Sequence, residues 1–111
     1  TLETSTSNVL GIGDVDVVPS GDFDIPKAGV FAAGQDTKVG EVIASRINQA
    51  DAPAPYDGIG FCFMAYSGGR SATVGGEFLA EGGPQTVLSD PTVSGMKSKD
   101  RFERDWRSFK I

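Results

Sequence analysis

The chain has 111 residues, enough for one domain and too few for two, with 39% hydrophobic and 23% charged residues and a net charge of −5. That acidic balance argues against a general nucleic-acid or anionic-membrane binder, since a phosphate footprint needs a basic surface. Zero His and one Cys remove Ser–His and Cys–His nucleophile pairs, thiolate-rich zinc sites and any internal disulfide.

Fifteen Gly and six Pro fall between short apolar runs without a fixed period, the punctuation of many turns and short strands. The expected fold is therefore mainly β, a small barrel or sandwich, with a C-terminal amphipathic helix. Three parts are expected: a polar arm at 1–8, a β-rich domain at 9–96 and a basic tail at 97–111. The arm, rich in Ser and Thr, orders only if something holds it. Its polar start leads us to expect no signal peptide, and no stretch approaches the ~20 apolar residues of a membrane span.

Val9 to Val18 reads as a strand after Gly11 and Gly13, because Val15 and Val17 alternate with Asp14 and Asp16. Pro19-Ser20-Gly21-Asp22 reads as a turn, Phe23–Ile25 as an extended piece stopped by Pro26, and Val30–Ala33 as a short apolar run. In Thr37–Gln49, Val39, Val42, Ile43 and Ile47 fit a helix capped by Asp36 or Thr37, with a strand over Val39–Ala44 as the alternative. Asn48–Asp57, carrying Pro53 and Pro55, is a loop.

Ile59–Tyr66 is the best strand, apolar on both faces and so expected at the centre of a sheet. Ser67-Gly68-Gly69-Arg70 links it to a second strand within Ser71–Ala80, which predicts a hairpin. Glu81-Gly82-Gly83-Pro84 turns into Gln85–Leu88, and Asp90-Pro91 ends that run.

The tail departs from the rest. Residues 97–111 hold six cations against three anions, a local +3 that leaves −8 on residues 1–96. Phe102, Trp106 and Phe109 recur at i, i+4, i+7 on one helical face, with Asp100 and Glu103 spaced as a capping box. This pattern suits packing against protein, either the chain's own sheet or a partner, better than the splayed stacking of a nucleic-acid binder. We expect Phe102, Trp106 and Phe109 as partner anchors with Arg104 and Arg107 beside them, the partner being another protein or copies of this chain in a homo-oligomer or larger particle.

Four acids, Asp14, Asp16, Asp22 and Asp24, form two Asp-x-Asp pairs across a turn, which would suit Ca²⁺ if the strands brought them together. The simpler reading is a solvated strand face and a turn. Gly11-x-Gly13 lacks the third Gly of a dinucleotide fingerprint and no Gly-Lys-Ser/Thr follows a Gly-rich turn, so no cofactor is expected. Gly68-Gly69-Arg70 resembles an anion nest but fits a hairpin turn better. Nothing in these patterns names an enzyme.

Asp57-Gly58-Ile59-Gly60, Phe61–Tyr66, Gly68-Gly69 and Val74–Phe78 together resemble the centre of the small head-decoration proteins of lambda-type tailed phages, with a Gly-rich lead-in, an apolar strand, a short turn and a second strand. The resemblance spans about half the chain. It implies a non-enzymatic, β-rich trimeric clamp in a virion, cementing a capsid with its N-terminal arm over the shell. Without it, a cytoplasmic protein is the expectation.

Overall fold

In chain order the elements are a 3₁₀ turn at Gly13–Val15, strands β1 (Pro19–Ser20) and β2 (Phe23–Asp24), helix α1 (Gly29–Ile47), strands β3 (Ile59–Tyr66), β4 (Arg70–Glu77) and β5 (Gln85–Leu88), and helix α2 (Val93–Ser108). They are seen in a computed structural model that describes residues 2–108. Helix outweighs strand, at 36% against 25%, so the mainly β expectation holds only in part. Among the described residues no barrel or sandwich closes. β1 and β2 make a two-stranded ribbon, and β3, β4 and β5 make one open antiparallel sheet in that order. The reason is that Val9–Val18, expected as a strand, contains the 3₁₀ turn, and the short apolar run Val30–Ala33 lies inside α1.

The hairpin follows its local chemistry. Gly68 and Gly69 adopt φ of 72° and 66°, a left-handed pair that residues with a Cβ avoid, and Tyr66 then faces Arg70 across the turn. β3 is an edge strand, not the expected central one. β4 takes the centre because Val74↔Leu88 through Glu77↔Gln85 add β5 to its other side.

α1 begins eight residues before the expected start, after Pro26-Lys27-Ala28. Phe31, Gln35 and Val39 form its inward stripe at i, i+4, i+8, whereas Ile43 and Ile47 of the predicted phase are exposed. The core is Leu2, Ile25, Phe31, Tyr56 and Phe78, with the Phe31 and Phe78 rings edge-to-face at 5.0 Å. Gly60 makes room for it: a Cβ there would overlap the Phe31 ring. Buried Gln35 accepts from the Gly13 N–H at 2.6 Å, and buried Ser20 donates to the Phe78 carbonyl, tying the ribbon to the end of β4.

The polar N-terminus is held by its own domain. Leu2 is buried in the core, Glu3 bridges to Leu10, and Arg46 near the end of α1 binds the Glu3 carboxylate at 2.6 Å. The whole body is thin, with extents of 52 × 38 × 21 Å. Its radius of gyration of 16.1 Å exceeds the value of about 13 Å expected for a compact chain of this length.

Candidate interaction surface

α2 starts at Val93, four residues before the predicted tail. Thr92 Oγ1 accepts from the Gly95 N–H at 2.8 Å and satisfies one orphan donor of the first turn. Asp100 therefore lies mid-helix and caps nothing. Gly95 sets the seat of the helix, since a Cβ there would overlap the Ser71 carbonyl oxygen of β4. From it the half-buried positions run through Met96, Lys99, Phe102 and Glu103.

Phe102 packs on the sheet. Its ring lies 5.5 Å from Phe61 and 5.7 Å from Phe63, two residues that alternation puts on one face of β3. Trp106 continues the row at 5.8 Å from Phe102 but stays 47% exposed. Arg104 and Arg107 are exposed on the same helix, and Phe109 lies outside the described residues. Of the expected anchors, Phe102 thus serves its own fold while Trp106 is half available to something else. Lys99 pairs with Glu103 beside Phe102, and that hydrogen bond holds the Glu103 carboxyl below its usual range.

Between the helices runs an apolar groove of about 710 Å³. Gly29, Ala32 and Ala33 of α1 form one wall and Phe102 and Trp106 of α2 the other, with Asp36, Thr37 and Asp105 adding the polar atoms. Small residues at i, i+3, i+4 on α1 leave this space open. The sequence pattern gave no hint of it, because the facing helix had not been placed.

The four aspartates do not converge. Asp14 sits in the 3₁₀ turn, Asp16 accepts from the Val17 N–H at 2.9 Å, Asp22 is in the ribbon turn and Asp24 in β2. Among the described residues no three acidic, Cys or His side chains gather as a metal site. What does gather there is an ammonium: Lys27 Nζ donates to the Asp14 carbonyl at 2.9 Å and to that of Asp16. Cys62 is half-buried, and burial pushes its thiol up, away from the thiolate a nucleophile needs.

The surface as a whole is larger than the mass requires. The chain exposes 7697 Å², against about 5,800 Å² for a folded monomer of 11.6 kDa. Large apolar side chains contribute to that surface: Val15, Phe23, Ile47 and Val87 are each at least 75% exposed. Composition alone did not reveal this, because 39% hydrophobic content is compatible with a closed core. No protein-family model matches the chain, and no curated protein or solved structure matches it either.

Proposed function

We propose that the chain is a non-enzymatic structural subunit that works as one copy among several, of the kind that decorates or cements a capsid. The observation that carries the reading is the surplus of about 1,900 Å² of exposed surface over a monomer of this mass. A stable interface takes about 800 Å² from each partner, so the surplus equals roughly two such faces per copy. Large exposed apolar side chains, Val15, Phe23, Ile47 and Val87 among them, supply apolar area that association could bury. Trp106, half-exposed beside the groove between α1 and α2, has the chemistry of an interface anchor.

The capsid half of the reading draws on the hairpin's resemblance to phage decoration proteins and on the thin body. Sedimentation equilibrium tests the assembly half, with a mass above 11.6 kDa expected at micromolar concentration. A monomer at every concentration, and still a monomer beside capsid shells stripped of their decoration, would end the proposal.

A further inference from the structure

We infer that β5 is a self-pairing edge: two copies join antiparallel along Gln85–Leu88 about a twofold axis normal to the sheet, forming one six-stranded sheet. The inference rests on the assembly reading above and specifies one of its surfaces.

A sheet edge presents unpaired N–H and C=O groups to any strand that approaches. Proteins that stay monomeric blunt such edges with charge, Pro, a bulge or a cover. The β3 edge of this sheet is attended to, since α1 packs against β3 and Pro26–Val30 lie beside Phe61 and Phe63. Among the described residues β5 itself carries no charge, Pro or bulge, the nearest Pro being Pro84 just before its first residue. Its one substantial neighbour among the described residues is β4, and its pairing runs residue for residue without a bulge. All four of its side chains are exposed, Val87 at 76% and Leu88 at 59%.

Charge selects the occupant. Copies of a −5 chain repel one another across most of their surface, yet Gly82–Ser89 carries no charged residue. Identical strands therefore meet without opposing like charges along Gln85–Leu88 itself, the nearest acids being Asp22 and Asp24 of the groove that also holds Thr86, while a basic partner gains nothing from a neutral strand. A twofold axis brings Val87 and Leu88 of each copy beside those of the other, where apolar cross-strand pairs stabilise the sheet. Phe23, 76% exposed, shares a groove of about 540 Å³ with Asp22, Asp24, Pro84 and Thr86 and adds apolar surface beside the strand. One such contact takes less than the surplus surface, so a second face remains for the rest of an assembly.

The test compares wild type, V87K and I47K by sedimentation equilibrium. Ile47 is a matched control, 75% exposed on α1 and changed by the same charge. Two facing lysines are expected to weaken self-association about a hundredfold or more in V87K, with the far-UV spectrum and dilute melting curve unchanged and I47K like wild type. In the wild type, hydrogen exchange at the β5 amides should speed up on dilution while β4 stays protected, a readout independent of any variant. V87K associating like wild type, I47K weakening association equally, or β5 exchange indifferent to concentration would each overturn the edge. A monomeric wild type would instead remove the assembly reading itself.

Discussion

The two helices of this protein are of similar length, and they are seated in opposite ways. α1 closes a core: Phe31 is 1% and Gln35 2% exposed, and every buried polar side-chain atom among the described residues has a partner. α2 buries no residue fully, resting one aromatic ring on the sheet and leaving the next half in water. The contrast marks where burial is complete. Along the Phe31–Gln35–Val39 stripe of α1 the chain satisfies itself, whereas around α2 and β5 it stops short of burial.

The contrast breaks most readily at its closed end. Phe31→Ala should cost about 3–5 kcal/mol, because it empties the centre of a five-residue core that has little else to collapse upon. Thermal melting measures it, and a loss below about 1 kcal/mol would deny α1 the role assigned to it. Next comes the seat of α2. Gly95→Ala should cost about 1–3 kcal/mol by pushing the helix off the Ser71 carbonyl. Red-shifted Trp106 fluorescence and faster proteolysis within α2 should accompany that loss, while the β3–β4 hairpin keeps its exchange protection.

Trp106→Ala sharpens the comparison from the open side. The monomer should lose less than about 1 kcal/mol, while self-association weakens about tenfold or more. If the monomer unfolds instead, the indole belongs to the core and the contrast between the helices collapses. The smallest effect concerns pH. Arg46 and the Asn8 N–H hold the Glu3 carboxyl below its ordinary 4.5. A depressed carboxyl contributes its stabilisation fully above pH 4.5 and loses it as pH falls through the lower folded value. Acid should therefore loosen residues 2–10 before the sheet melts, visible as faster amide exchange at Gly11, whose N–H donates to Leu2. Glu3→Gln should flatten that dependence.

What was legible in the sequence was local. Ile59–Tyr66 and its hairpin partner were readable because the turn chemistry of Gly68-Gly69 and an uninterrupted apolar run agree. The amphipathic tail was readable from the spacing of Phe102 and Trp106, though its start was not, since Thr92 caps it ahead of the charged stretch. Other features depend on distant partners. The alternation of Val15 and Val17 with aspartates imitated a strand, yet Gly13 turns the chain at φ 70° and Val15 ends 86% exposed. The expected helix starts at Thr37, not Gly29, because Val30–Ala33 ahead of Gly34 reads as a separate apolar run. Gly34 is instead kept small by the Tyr56 ring, which a Cβ would meet at 3.2 Å. That β3 lies at an edge, and that β5 is left bare, follows from sheet order, which no local pattern encodes.

The flatness of the body has a consequence for economy of material. A slab 21 Å deep and 52 by 38 Å across turns most of its residues toward one broad side or the other. A short polypeptide of that outline shields more ground than a sphere of equal weight.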